Sequence, residues 1–199
     1  MQAKPPQAVN ILTALAENEH IAKTEADPER RAIALTWLFH LVGDIHQPLH
    51  STQIFTTDYP NGDRGGNLIC VRIKESNQAV DLHRFWDGVI TTSSNITRLR
   101  NEATTLRNRT EFSKSQLTEL ASTDFGSWAK ESFQIATGIA YQNGNVPGTP
   151  KGDSKDCSEL ADAKLLPNGY ARIAGRIADR RMMLAGYRLA DLLRRVTGN

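Results

Sequence analysis

Apolar and polar positions along the 199-residue chain alternate with a helical period over most of its length. Val9, Leu12, Leu15 and Ala16 recur at helical spacing, which predicts a short helix near Val9 to Asn18. A second helix has a defined start: Asp27 is suited to cap it, Pro28 to occupy its first position, and Glu29 to face the positive end of the dipole. It should run through Ile33, Leu38, Phe39 and Val42 to about His46. Its apolar residues surround most of the cylinder from Trp37 to Ile45, which predicts a helix buried all round, and Pro48 ends it. Ser51 to Asn67, with Pro60, Asn61, Gly62, Gly65 and Gly66, reads as a long loop. Leu68 to Ile73 and Ala79 to Leu82, separated by the polar turn Lys74 to Gln78, read as a small hairpin. Helical patterns return at His83 to Ile90, Ile96 to Arg107, Ser115 to Leu120 and Asp124 to Tyr141. Gln142 to Asp156, rich in Gly, Pro and Asn, reads as loop. A closing helix spans about Tyr170 to Val196, with Ile173, Ile177, Leu184, Leu189 and Leu193 for its apolar face. The chain has no internal repeat and reads as one mainly α domain over residues 1–199.

Composition narrows the function classes. With 39% hydrophobic and 23% charged residues the chain can bury a sizeable core. A net charge of +2, from 24 basic and 22 acidic residues, lacks the surplus of a protein that coats nucleic-acid backbones, so a phosphate-bearing substrate must be held locally. Cys70 and Cys157 are the two cysteines; they exclude a Cys-rich zinc site and leave open either one bridge or two thiols. No apolar run has the length of a membrane span. Met1 to Pro6 leads into Gln7 without the apolar core of a secretion signal.

The chemistry is concentrated in one stretch. Three of the five histidines, His40, His46 and His50, fall close together around Asp44. Residues four apart share a helix face, so His40 and Asp44 direct an imidazole and a carboxylate toward one point. His83 and Asp87 repeat that spacing just after the hairpin. Either pair alone is readily explained as a surface hydrogen bond. Two pairs and an additional histidine, without cysteine, fit a catalytic metal site that keeps a position for water.

These residues resemble a known family, the zinc-dependent single-strand-specific type I nucleases, which share a helical fold with bacterial zinc phospholipase C. The resemblance rests on His40-Leu41-Val42-Gly43-Asp44-Ile45-His46-Gln47-Pro48-Leu49-His50, then Asp63-Arg64-Gly65-Gly66-Asn67, then Leu82-His83 to Asp87. It extends to Trp128-Ala129-Lys130-Glu131-Ser132 and Ala185-Gly186-Tyr187-Arg188-Leu189-Ala190. It implies a mainly α, phospholipase C/nuclease-type fold with the β-hairpin near the metal site. It also implies three zinc ions in a cleft. The position of His40 binds one zinc, that of Asp44 bridges two and is catalytic, and those of His50, His83 and Asp87 together hold the remaining one. His46 has no ligand role in this pattern and, lying two residues from Asp44 and so off that helix face, reads as a core histidine or one that supports the metal ligands from behind. Family members begin with a tryptophan and a histidine that bind zinc, followed by a further aspartate and histidine. The one histidine before His40 is His20, a solvated residue by its setting. The chain is therefore expected to lack the family's N-terminal segment, with one zinc site complete and the His40 and Asp44 cluster partial.

The activity implied is hydrolysis of single-stranded DNA or RNA to 5'-phosphate products by metal-activated water, with 3'-nucleotidase activity. Two alternatives stand beside it: a zinc phospholipase C-like hydrolase and a non-catalytic remnant with one zinc site. Arg64 is the candidate phosphate contact and Asn67 the candidate for orienting substrate or pinning the loop. Phe55 and Tyr59 are candidates for base stacking or for plain loop anchors. Phe85 and Trp86 read as core. Arg172, Arg176 and Arg180, four apart, read as a solvated stripe, and Asn95-Ile96-Thr97 and Asn108-Arg109-Thr110 fit the short glycosylation pattern. The family is secreted or periplasmic, so the same is expected here, as a monomer without membrane partners.

Overall fold

A computed structural model describes residues 9–198; the segment Met1 to Gln7, read above for a targeting signal, lies outside them. The described fold is mainly helical, with α1 (Ile11–Thr24), α2 (Pro28–His46), α3 (Leu82–Gly88), α4 (Ile96–Arg107), α5 (Phe125–Ile135) and α6 (Tyr170–Thr197), and it also contains a small sheet. No helix among the described residues is long and apolar enough to cross a membrane. The chain divides into two compact units, one of residues 47–94 and 131–179, the other of residues 9–46, 95–130 and 180–198. The boundary between His46 and Gln47 cuts through the histidine-rich segment.

In the second unit, α1 starts where the Asn10 side chain accepts from the amides of Leu12 and Thr13 and Thr13 returns the bond, a reciprocal cap. It runs on past Asn18 because Ile21 and Ala22 continue the apolar face, Ala22 being buried. Within the polar stretch Glu17 to His20, Glu17 is exposed and so, as expected, is His20. α2 has the predicted start: Asp27 Oδ1 accepts from Glu29 N at 2.9 Å. It buries Ala34, Leu38, Leu41, Val42, Ile45 and His46, which pack with Leu15, Trp128, Ala185 and Leu192.

The helix is not buried all round. Ile33, Trp37 and Phe39 are 55%, 50% and 55% exposed. Apolar identity predicted burial there, but the elements packed on α2 within this unit reach only the side that carries Leu38 and Ile45. A further correction falls at Ser115 to Leu120, where the chain makes one 3₁₀ turn, Thr118–Ala121, in place of an α-helix. It is held by Arg180, which donates to Gln116 O and both Glu119 oxygens. Arg180 is therefore an ion-pairing residue, while Arg172 and Arg176 remain on the solvated side.

In the first unit, β1 (Ile69–Arg72) and β2 (Val80–Asp81) form the predicted antiparallel hairpin, with Cys70 opposite Asp81 and Val71 opposite Val80. Two short strands that the sequence did not predict extend the sheet. β3 (Thr149–Pro150), within the segment read as loop, pairs antiparallel with β1. β4 (Lys164–Leu165) pairs parallel with β1. Each is two residues long, too short for a period to register. Cys70 and Cys157 form a disulfide across 87 residues, which decides between the two states left open. It is sealed among Ala79 and Ala163. The helix predicted to run from Asp124 to Tyr141 changes character after Ile135, where Ala136–Ala140 form a π turn. Trp86 donates to Tyr170 Oη at 3.0 Å and Tyr170 donates to Ala140 O at 2.7 Å, so Phe85 and Trp86 belong to the core as expected.

Candidate metal centre

The first unit brings His50, His83 and Asp87 together from two separate segments. His50 sits in a 3₁₀ turn, Pro48–Ser51, opened by Gln47, whose side chain accepts from the Leu49 amide. His83 and Asp87 stand one turn apart on α3, which begins where Asp81 Oδ1 accepts from Arg84 N at 2.7 Å. One ligand atom from each of the three residues lies within 4.8 Å of the others. His50 Nε2 is 3.1 Å from His83 Nε2. Asp87 Oδ1 is 3.8 Å from His50 Nε2, and Asp87 Oδ2 is 3.6 Å from His83 Nε2. The two imidazoles lie nearly parallel, 4.8 Å between centroids.

Neighbouring groups fix these side chains. His83 Nδ1 lies 2.8 Å from the Gly65 carbonyl. A carbonyl only accepts, so Nδ1 carries the proton and Nε2 keeps its lone pair for the centre. Gln47 Nε2 donates to Asp87 Oδ1 at 2.9 Å. Gly65 has φ +65°, and a Cβ there would meet the Leu49 carbonyl at 2.6 Å; a side chain would push apart the two segments that carry His50 and His83. The predicted loop residues divide: Arg64 and Asn67 are exposed, and Asn67 Nδ2 donates to Arg64 O at 2.7 Å, which pins the turn. Tyr59 is buried in the core and anchors the loop, whereas Phe55 is half-buried.

In the second unit, His40 Nε2 and Asp44 Oδ2 approach to 3.1 Å on the open side of α2, with the His40 side chain 61% exposed. Trp37 stands edge-on to His40, 6.0 Å between ring centroids. Among the described residues no third histidine, cysteine or carboxylate joins this pair within ligand distance.

His46 is buried. Its Nδ1 lies 2.7 Å from the Val42 carbonyl, and Nε2 receives a bond from Arg188 Nη1 at 2.9 Å. Both contacts require a neutral imidazole protonated at Nδ1. Burial first, and then the Arg181 charge, push its pKa down to about 3. Arg181 donates to the His46 carbonyl, and Arg188 lies over the Trp128 ring at 5.0 Å. His46 thus ties α2 to α5 and α6 within its own unit.

A sequence profile of the S1/P1 nuclease family matches residues 1–198. The chain belongs to the S1/P1 nuclease family. Among curated relatives it is similar to Endonuclease 3 of Arabidopsis thaliana, with 33% identity over 159 residues, 72% of this chain and 50% of that protein. It is also similar to Endonuclease 4 of the same plant, with 32% identity over 177 residues, 82% of this chain and 50% of that protein. The chain spans about half the length of the curated relatives it matches.

Sequence reasoning missed Gln47 and the Gly65 carbonyl. Gln47 stands inside the histidine-rich segment, where its amide was overshadowed by stronger candidate ligands. A main-chain oxygen leaves no mark in residue type beyond the glycines that let the turn form.

Proposed function

We propose that this S1/P1 family chain is a zinc-dependent phosphodiesterase acting on single-stranded DNA and RNA, leaving 5' phosphates and also cleaving 3'-nucleotides. His50, His83 and Asp87 are read as one complete zinc site. The single observation that carries the reading is the convergence of two imidazole nitrogens and a carboxylate, with His83 and Asp87 each oriented by a separate partner. Two zinc–nitrogen bonds at a tetrahedral angle set their nitrogens about 3.3 Å apart. The 3.1 Å between the two Nε2 atoms and the 3.6 Å and 3.8 Å to Asp87 suit that demand with little movement.

Bound zinc would supply positive charge for a phosphoryl oxygen and a water ionised near neutral pH. The chain's own residues supply the rest. Gln47 and Gly65 hold Asp87 and His83 in place, and Arg64 offers a cation at the exposed turn for a substrate phosphate. His40 and Asp44 are read as ligands of a further metal pair, Asp44 as the bridging, catalytic carboxylate. Support for a secreted or periplasmic setting comes from the Cys70–Cys157 disulfide, since such bonds persist in oxidising compartments.

The test pairs elemental analysis with turnover. The 199-residue chain should hold about one tightly bound zinc, lost in His83→Ala. Single-stranded DNA, RNA, a 3'-nucleotide and phosphatidylcholine are then offered with zinc. Turnover of phosphatidylcholine alone, or the absence of bound zinc, overturns the proposal.

A further inference from the structure

Tyr141 and Asp63 lie outside the ligand set, yet a chain of bonds leads from them to it. Both are fully buried, at 0% exposure. Asp63 accepts from three donors: Ile54 N at 2.9 Å on Oδ1, and Gly66 N at 2.7 Å and Tyr141 Oη at 2.8 Å on Oδ2. Its own amide donates to Ile54 O, and its carbonyl accepts from Leu68 N, both at 3.1 Å. One buried residue, through its carboxylate and its own backbone, therefore closes both ends of the loop that runs from Ile54 to Leu68.

That loop includes a run of left-handed backbone: φ is +88° at Gly62, +56° at Arg64, +65° at Gly65 and +90° at Gly66. Such a conformation is disfavoured for Arg64, and only surrounding contacts can hold it. The run delivers the Gly65 carbonyl to His83 Nδ1. It also seats Gly66 against the start of α3, where a Cβ would meet His83 N at 3.1 Å and Leu82 Cβ at 3.3 Å. The loop is thus a spacer between the segments bearing His50 and His83.

The far end of the chain of bonds is the π turn. Tyr141 N donates to Ala136 O at 2.8 Å, five residues back. One additional residue in a turn rotates everything after it by about 100° relative to a regular α-helix. It is this turn that places Tyr141 where its hydroxyl meets Asp63.

We propose that Tyr141 and Asp63 are positioning residues for the metal centre, setting the Gly65 carbonyl and through it the orientation and tautomer of His83. The inference rests on reading His50, His83 and Asp87 as a metal site. Its test is titration of the chelator-stripped chain with zinc by calorimetry and with cobalt by visible absorption, in wild type, Tyr141→Phe, Asp63→Asn and His83→Ala. Tyr141→Phe, which removes one oxygen and keeps the ring, should weaken both metals about tenfold or more and change the cobalt spectrum, while His83→Ala loses the site. Thermal unfolding of the metal-free variants is recorded in parallel. A tie that served the fold alone would lower the unfolding temperature yet leave the affinity and spectrum of the folded protein at wild-type values; that result overturns the inference and leaves the metal reading standing. No metal binding by wild type removes both. Should Asp63→Asn fail to fold, the milder Tyr141→Phe still decides the question.

Discussion

Removing the Cys70–Cys157 disulfide should take away a large share of the chain's stability. The bridge joins residues 87 apart in sequence. In the chain-entropy account, releasing such a loop in the unfolded state costs the folded state about 4.6 kcal/mol at 25 °C, against a typical total of 5–15 kcal/mol for a domain. Both cysteines are buried, at 0% and 2% exposure, so replacement by alanine adds a smaller packing loss of about 1 kcal/mol per site. The two contributions are separable with Cys70→Ala, Cys157→Ala and the double variant in urea unfolding followed by circular dichroism. The first substitution removes the whole cross-link and the second only a buried thiol. Each single variant should therefore lose about 5.6 kcal/mol, and the double variant about 1 kcal/mol more. The slope against urea should rise, because an unfolded chain without the bridge exposes more surface. Single losses below about 1 kcal/mol, or losses that simply add, would refute the cross-link account.

Two further outcomes follow from the buried contacts. His46 has a folded pKa of about 3 against an ordinary histidine value of 6.5, so the unfolded state binds the additional proton as pH falls below about 6.5. Its contribution is complete above that pH and declines toward pH 3, by about 2 kcal/mol at pH 5; in the metal-free protein, His46→Gln should flatten this part of the stability–pH curve, and equal slopes in the two proteins would show that His46 is not held neutral. Gly65→Ala places a methyl against the Leu49 carbonyl at positive φ, which should cost about 2 kcal/mol or more and weaken zinc binding with it; thermal unfolding and metal titration at wild-type values would show that the loop does not act as a wedge.

How much of this was legible in the sequence depended on whether a residue's type limits its role. His83 and Asp87 stood out as candidate ligands because few side chains bind metals and these two share helical spacing, while His50 joined them only through the resemblance of its segment to the family motif. The start of α2 at Asp27 and Pro28 was legible for a similar reason, since capping is a local bond. The outward side of α2 was not: Ile33, Trp37 and Phe39 count as apolar in any pattern, but burial needs a partner, and pattern carries no information about partners. Tyr141 was read as the end of a regular helix because the Ala, Thr, Gly and Ile of the π turn also occur in α-helices and carry no mark of the extra residue. The stretch from Lys155 to Leu165 gave no strand signal because β4 is only two residues long and owes its place to β1.

The same distinction separates the two pairs that the sequence presented as equivalent. His40 and Asp44 are one turn apart on one helix, so their approach to 3.1 Å follows from helix geometry once α2 forms. His83 and Asp87 share that spacing on α3, but α3 is seven residues long, too short to be stable alone. It depends on the Asp81 cap, the buried Leu82, Phe85 and Trp86, and the loop lodged against its first turn. His50 joins from 33 residues away, through the same loop. The three-residue cluster is therefore a product of tertiary closure, and under the proposed metal reading the residues that close it, Asp63, Gly65 and Tyr141, bear on metal affinity even though none of them contributes a ligand atom.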